Sequence, residues 1–390
     1  MNRYERYIYL SAEIINHYDG TEPFANFLKK YFSTHKQLGS RDRKQISACC
    51  YAYFRTGQLL NAFELLERIP LALFLCSNQS EPLLSHLFSD LNDNTNRSLK
   101  EKCSMKSIDW SEHKVFPWIN AMSEGIDRSL FVESHFVQPG LFVRIRPGKQ
   151  NLVLHKLHEA SIAYHILNDH CIEFQNGLDL SKILNLNHDV VIQDYSSQRL
   201  ADFFANIEFP QDQNISVWDS CAASGGKSIL CKDYFPNAQL TVSDVRPSIL
   251  KNLSIRFKEA GITYKYLIAA DLAQSVPQHF KEKKYDFIIA DVPCTGSGTW
   301  SRTPEWLHFF NEDKISSYVS LQQKILGNII PHINEGGFLL YSTCSVFSAE
   351  NEAQIQYIQQ RYNLLLIRHQ IIEGYQHKAD TMFGALFKKI

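Results

Sequence analysis

The chain has 390 residues, of which 44% are hydrophobic and 21% are charged, a composition typical of a globular protein with two or three domains. Its formal net charge of −1 excludes a general basic field for nucleic acid, so any RNA-binding surface must be a local patch. The sequence shows no secretory signal pattern and no run of about 18 apolar residues, so we expect a cytoplasmic monomer without a membrane segment.

Residues 1–108 predict an all-helical domain. Apolar residues recur there at helical spacing, and glycine and proline are sparse. The predicted helical segments are 7–15, 24–32, 46–54 and 59–66. A polar stretch at 90–107 predicts a loop or a weak helix, and residues 109–139 predict a connecting helical segment.

Residues 140–195 predict a small α/β subdomain. Its expected elements are strands at 141–145, 164–167 and 190–194 and a helix at 153–160.

Residues 196–390 predict an α/β domain with a doubly wound, parallel sheet, because strand patterns alternate with segments of helical length. The predicted strands are 215–219, 239–244, 264–269, 285–291 and 337–342, followed by two more near 364–369 and 382–388.

A turn of small residues follows the first of these strands, at 219–228 (DSCAASGGKS). Glycines at a turn from strand to helix let a ligand approach the backbone closely. The dinucleotide fingerprint G-x-G-x-x-G is absent. Gly226-Lys227-Ser228 fits the end of a P-loop, but that motif needs glycine at the position of Cys221. The interpretation that remains is the nucleoside site of a Rossmann-like methyltransferase.

Acidic residues follow three successive strands. Asp219 ends the first strand, Asp244 ends the second, and Asp271 follows the third. A carboxylate at the end of the second strand suits the two hydroxyls of a ribose. One aspartate at a strand end is often only a helix or turn cap. Three in series beside a glycine turn favour a binding crevice.

Two of the nine cysteines, Cys294 and Cys344, follow the fourth and fifth strands. No C-x-x-C pair occurs, so we predict no metal site. An ionised thiol is a good nucleophile, and its addition to carbon 6 of cytosine makes carbon 5 reactive toward a methyl donor. The carboxylate of Asp291 can hold the N3/N4 edge of the ring and favour that addition.

Four segments resemble the motifs of the RNA cytosine-5 methyltransferases. They are 193–198 (QDYSSQ), 221–227 (CAASGGK), 291–298 (DVPCTGSG) and 341–345 (YSTCS), the last followed by Glu350-Asn351-Glu352. Residues 40–44 (SRDRK) and 51–55 (YAYFR) are similar to the NusB-like domain of the Fmu/Sun branch, the small-subunit ribosomal RNA methyltransferase B type. The resemblance covers residues 140–390 well and 1–108 loosely.

The resemblance implies the role of each site residue. Cys344 would be the nucleophile, Cys294 would help to release the product, and Asp291 would belong to both the catalytic and the cofactor sites. The implied cofactor is S-adenosyl-L-methionine. Its predicted contacts are Asp219, Cys221, Ala222, Ala223, Ser224, Gly225, Gly226, Lys227, Asp244, Asp271 and Asp291.

The expected partner is RNA, with a target cytosine outside its stack. Candidate phosphate contacts are Arg41, Arg43, Lys44, Arg144, Arg146, Lys149 and Arg302. Each of these side chains fits an ordinary solvated surface as well. Small-subunit ribosomal RNA is the expected substrate, and the alternatives are tRNA and a non-catalytic RNA-binding factor. A DNA enzyme that uses Cys294 alone is disfavoured by the presence of Thr343-Cys344.

Overall fold

The computed structural model describes residues 1–209 and 214–390, and it divides into two compact units. One unit comprises Met1–Ala121, Asp127–Gln138 and Thr299–Glu312, and the other comprises Met122–Ile126, Pro139–Gly298 and Asp313–Ile390. This division differs from the predicted domain boundaries in two respects. Residues 299–312 belong to the first unit, and the predicted 140–195 subdomain shares the second unit with the large sheet.

The first unit is helical. Its α-helices are Arg3–His17, Phe24–Thr34, Ser40–Arg55, Leu65–Cys76, Pro82–Leu87, Ser89–Asn92, Leu99–Met105, Glu112–Val115, Arg128–Ser134 and Trp306–Phe309, with a 3-10 turn at Ile119–Ala121. Apolar side chains at helical spacing fill its core, where the buried rings of Phe24 and Phe54 meet edge to face at 4.8 Å. The prediction of helices in residues 1–108 is confirmed for three of the four segments.

The predicted helix at 59–66 is wrong. Residues 56–62 form turns, and the next helix begins at Leu65. Gly57 accounts for the difference: its φ is +51°, and a Cβ there would lie 2.5 Å from the carbonyl oxygen of Val115. The backbone leaves the helical path at this glycine because only glycine takes that conformation readily.

The second unit contains two sheets. The smaller is antiparallel, with the order β2-β3-β1-β4. Its strands are β1 (Leu141–Ile145), β2 (His165–Asn168), β3 (Cys171–Phe174) and β4 (Val190–Ile192). The apolar pattern of the sequence did not predict β3, which pairs with β1 on one side and with β2 on the other. The helix predicted at 153–160 spans Gln150–Glu159.

The larger sheet has seven strands in the order β10-β11-β9-β8-β5-β6-β7. They are β5 (Ser216–Asp219), β6 (Gln239–Asp244), β7 (Tyr266–Ala269), β8 (Tyr285–Asp291), β9 (Ile333–Thr343), β10 (Leu364–Ile372) and β11 (Met382–Lys389). All neighbouring pairs are parallel except those made by β11. Strand order reverses between β5 and β8, which is where open α/β sheets bind ligands.

The sheet core lies on both faces, because side chains alternate along each strand. Phe287 and Ile289 of β8 pack into one apolar cluster, and Ile288 and Ala290 pack into the other. The helices of this unit are Gln150–Glu159, Tyr195–Gln198, Ala201–Phe204, Gly226–Tyr234, Pro247–Glu259, Asp313–Ile329 and Glu352–Arg361. The mostly parallel sheet of this unit and the helices of the first unit confirm the predicted fold class.

Candidate active site

Two thiols meet at the carboxyl ends of β8 and β9. The strands pair in parallel with Asp291 opposite Ser342, so the segments that follow them leave the sheet side by side. The Sγ atoms of Cys294 and Cys344 are 3.3 Å apart. This separation allows both thiols to face a single bound base.

Backbone bonds fix the loop after Cys294 to the segment that carries Cys344. The amide of Gly298 donates to the carbonyl of Cys344 at 2.9 Å, and the amide of Thr381 donates to the carbonyl of Gly298 at 2.9 Å. A Cβ at Gly298 would lie 2.0 Å from the carbonyl oxygen of Thr381. The glycine is therefore required for this close approach of three backbone segments.

The surroundings of Cys294 favour the protonated form of its thiol. A hydrogen bond with Cys344 raises the pKa of the Cys294 thiol, and burial and the negative charge of Glu350 raise it further. Burial likewise raises the pKa of Cys221 in the small-residue turn, which leaves that thiol neutral.

The carboxylate of Asp291 lies at the end of β8 between two donors. Lys227 Nζ donates to its Oδ2 at 2.6 Å, and Ser342 Oγ donates to its Oδ1 at 2.9 Å. Burial lowers the pKa of Lys227, but the attraction of Asp291 outweighs it, and the pKa is raised overall. Lys227 is therefore a cation held at the same edge as the cysteines.

The turn after β5 brings backbone donors to the switch point of the sheet. Ala223 and Gly225 have positive φ angles of 45° and 82°, and a helix begins at Gly226. The amide of Ala223 donates to Asp244 Oδ2 at 3.1 Å, and that of Ala222 to the carbonyl of Ser243 at 2.9 Å. These bonds tie to β6 the segment of predicted cofactor residues 219–227, which is here named the cofactor wall.

One carboxyl oxygen of Asp219 has no hydrogen-bond partner within the described structure. The residue is fully buried, Ser228 Oγ donates to its Oδ2 at 2.6 Å, and its Oδ1 has no hydrogen-bond partner. Burial raises the pKa of Asp219 to about 7. A buried carboxyl oxygen with no donor is costly unless a ligand or water supplies one.

Asp244 and Asp271 follow β6 and β7 along the same edge. Asp244 is 6% exposed and accepts Arg246 Nε at 2.9 Å and Nη2 at 3.1 Å. Burial acts to raise the pKa of Asp244, but the hydrogen bonds from Arg246 outweigh it and lower the pKa. Asp271 is exposed, and its Oδ1 accepts the amide of Ala273 at 3.0 Å. The lowered pKa of Asp244 favours its ionised form, which can accept hydrogen bonds from hydroxyl or amine donors.

Two residues predicted to contact RNA are instead engaged inside the second unit. Arg144 Nη1 lies 2.6 Å from Asp233 Oδ2, and Arg146 Nη2 lies 2.7 Å from Asp233 Oδ1. The arginine side chains are 6% and 14% exposed. Because both guanidinium groups bond to one carboxylate, the structure gives Arg144 and Arg146 a packing role, while their contact with RNA stays a prediction.

The remaining predicted RNA contacts have varied surroundings. Lys149 is 33% exposed and lies 3.8 Å from Asp189. Arg41 and Lys44 are exposed on the helix Ser40–Arg55, whereas Arg43 donates to the carbonyl of Leu38 at 2.8 Å. Arg302 lies in the 299–312 segment of the first unit. Three candidates for phosphate contact therefore have side chains that reach the surface, namely Arg41, Lys44 and Lys149.

The sequence did not reveal the residues that support the thiols. Ser342 Oγ holds Asp291, and Glu350 and Gln322 hold the loops on either side of the cysteines. Glu350 was part of a matching motif but had no assigned role. Gln322 lies within a long helix and carries no local signal of function.

The segment that carries the two thiols is similar to known proteins. Residues 205–385 match the model of the family described as 16S rRNA methyltransferase RsmB/F. Over 172 residues the chain is 34% identical to ribosomal RNA small subunit methyltransferase B of Citrobacter koseri, and 32% identical to the protein of that name from Salmonella arizonae. The matches cover 44% of this chain and 39% and 38% of those proteins, so the chain matches well under half the length of these relatives.

Solved structures share the fold over a longer range. The crystal structure of PH0851 has a TM-score of 0.69 at 18% identity and covers 100% of this chain and 99% of that one. The structure of NSun6 from Pyrococcus horikoshii with SFG has a TM-score of 0.58 at 12% identity and covers 70% of this chain and 97% of that one. Among residues 1–209 and 214–390, no helix is long and apolar enough to cross a membrane. Residues 205–385 are therefore similar to the RsmB/F family of methyltransferases, and the solved structures share the fold of this chain.

Proposed function

We propose that this protein is an S-adenosylmethionine-dependent methyltransferase that methylates carbon 5 of a cytosine in RNA. The observation that carries the proposal is the pair of thiols, whose Sγ atoms lie 3.3 Å apart beside Asp291 at the ligand edge of the sheet. Transfer to carbon 5 needs a nucleophile at carbon 6 and a group that later accepts the proton from carbon 5. Cys344 can supply the nucleophile, and the thiol of Cys294 lies close enough to assist release of the product.

The cofactor wall has the donors and acceptors that S-adenosylmethionine requires. The unpartnered Oδ1 of Asp219 can accept from an amino group, and the ionised Asp244 can accept from ribose hydroxyls. The turn at Gly225 brings the backbone close to the ligand edge. When bound, S-adenosylmethionine supplies an electrophilic methyl group.

In the proposed reaction Cys344, as the thiolate, adds to carbon 6 of the cytosine and forms a carbon–sulfur bond. The carboxylate of Asp291, held by Lys227 and Ser342, binds the N3/N4 edge and stabilises the charge that develops on the ring. After carbon 5 is methylated, its proton passes to solvent water as the double bond of the ring forms again. The carbon–sulfur bond then breaks, and Cys344 returns to the thiolate while Cys294 assists release.

Small-subunit ribosomal RNA is the proposed substrate, because the family description and the names of both bacterial relatives specify it. Lys149, Arg41 and Lys44 are proposed as phosphate contacts. The alternative is a tRNA substrate, for which the site chemistry would be the same.

Bisulfite sequencing of total RNA from cells with and without the gene tests this proposal. We expect one cytosine of small-subunit ribosomal RNA to be protected only when the gene is present. Protection of a cytosine in another RNA would keep the chemistry and overturn the substrate. If no cytosine changes, and the purified protein transfers no methyl group to any RNA, the enzymatic proposal fails.

A further inference from the structure

One buried carboxylate joins the two segments that carry the thiols. Glu350 is 0% exposed and accepts the amide of Thr295 at 3.0 Å and its Oγ1 at 2.6 Å. It also accepts a hydrogen bond from Ser345 Oγ. Thr295 and Ser345 are the residues that directly follow Cys294 and Cys344. A single side chain thereby bridges the two cysteine loops.

A second side chain extends the bridge to the other side of Cys294. Gln322 Nε2 donates to Glu350 at 2.9 Å and to the carbonyl of Pro293 at 3.0 Å. The hydroxyl of Tyr341, also buried, donates to the carbonyl of Glu350 at 2.7 Å. The backbone on both sides of Cys294 is therefore held from the same point.

These bonds satisfy both oxygens of Glu350. Each oxygen accepts two hydrogen bonds, a set that compensates a carboxylate removed from water. If the carboxylate were absent, all of these donors would lose their acceptor on Glu350. The contact between Thr295 Oγ1 and Ser345 Oγ, at 3.2 Å, would then be the direct side-chain link between these two residues. The separation of the two Sγ atoms therefore depends in part on Glu350.

Resting on the proposed function, we propose that Glu350 is a positioning residue that holds the two thiols at the separation at which Cys344 adds to the base and Cys294 assists release. Glu350 touches neither sulfur, so its effect is transmitted through Thr295 and Ser345. Its negative charge also contributes to the raised pKa of Cys294. One residue thus acts on the geometry of the pair and on the pKa of Cys294.

The test compares Glu350→Gln with Glu335→Gln, whose side chain is 74% exposed and serves as the matched control. Glutamine keeps the size, removes the charge and turns an amide donor toward groups that are themselves donors. We expect kcat for RNA methylation to fall about 100-fold, as for a slightly misplaced reacting group, with KM for RNA nearly unchanged. Alkylation of Cys294 by iodoacetamide should begin at lower pH than in the parent protein.

A second measurement does not depend on methyl transfer. Diamide takes up two electrons and two protons as two thiols join in a disulfide, and mass spectrometry of the Cys294–Cys344 peptide follows the rate. We expect the Cys294–Cys344 disulfide to form fast in the parent and in Glu335→Gln. In Glu350→Gln it should form about tenfold more slowly, because disulfide formation requires close, oriented sulfur atoms. An unchanged rate together with unchanged kcat would overturn the proposal.

Thr295→Val covers the case in which Glu350→Gln does not fold. Valine keeps the side-chain size and the amide bond to Glu350, and it removes Oγ1 with its bonds to Glu350, Ser297 and Ser345. We therefore expect an intermediate rate of disulfide formation. An unchanged rate in folded Thr295→Val and an unchanged iodoacetamide profile would count against the bridge. If the parent methylates no RNA but the variants still slow disulfide formation, the proposed function fails while the positioning role stands.

Discussion

Replacing Asp233 with Asn tests the packing role that the structure gives to Arg144 and Arg146. The Asp233 side chain is 7% exposed and is paired with both guanidinium groups. Removing one partner of a buried ion pair costs about 3–5 kcal/mol, because the remaining charge stays buried without compensation. Here two like charges would also face each other. For a unit of this size the loss corresponds to a fall in Tm of about 10 °C.

Urea denaturation and calorimetry at pH 7 measure the loss, and electrophoretic RNA binding is measured on the same samples. Arg144→Met should also lower the free energy of unfolding and leave RNA affinity unchanged under conditions where it is folded. Lys149→Met is the control: it should leave stability nearly unchanged and weaken RNA binding. A loss below about 1 kcal/mol in Asp233→Asn, with weaker RNA binding in Arg144→Met, would refute this reasoning.

Two further predictions concern the cofactor wall. The pKa of Asp219 is raised from 3.8 to about 7, so its stabilising contribution in the cofactor-free protein is complete below pH 3.8 and is lost as the pH rises through about 7. Asp219→Asn should remove that decline, as measured by urea denaturation across this range; an unchanged slope would contradict the burial argument. Gly225→Ala should cost about 1–3 kcal/mol, since its φ is +82° and a Cβ would lie 2.6 Å from Phe257. Gly226→Ala, whose nearest contact would be at 3.9 Å, is the matched control, and equal Tm values for the two variants would refute the steric reasoning.

The strands of the large sheet could be predicted because their signals are local. Buried parallel strands are continuous apolar runs ended by polar turns, and β6 and β8 have the predicted bounds. The turn at Gly57 was missed because its cause, the nearby carbonyl of Val115, is 58 positions away along the chain. The spacing of apolar residues indicates which face of a helix is buried. It does not indicate contacts between residues that are distant in sequence.

The meeting of the two thiols follows from strand order, since β8 and β9 are parallel neighbours, while the catalytic roles of Cys294 and Cys344 stay predictions. The partners of buried charges could not be predicted in this way. Asp233 lies 89 residues from Arg144, and nothing in the spacing joins them. From the sequence alone, an arginine in a short strand is easily interpreted as a surface residue that contacts RNA, because its buried partner is not visible.

The central claim is that Cys344 bonds to the RNA and that Cys294 helps to release it. The most direct measurement incubates purified Cys294→Ala and the Cys294→Ala/Cys344→Ala double variant with RNA and S-adenosylmethionine, then resolves them on a denaturing gel. The account predicts an RNA–protein adduct in the first variant and none in the second. An adduct in the double variant, or full methyl transfer by Cys344→Ala alone, would contradict it.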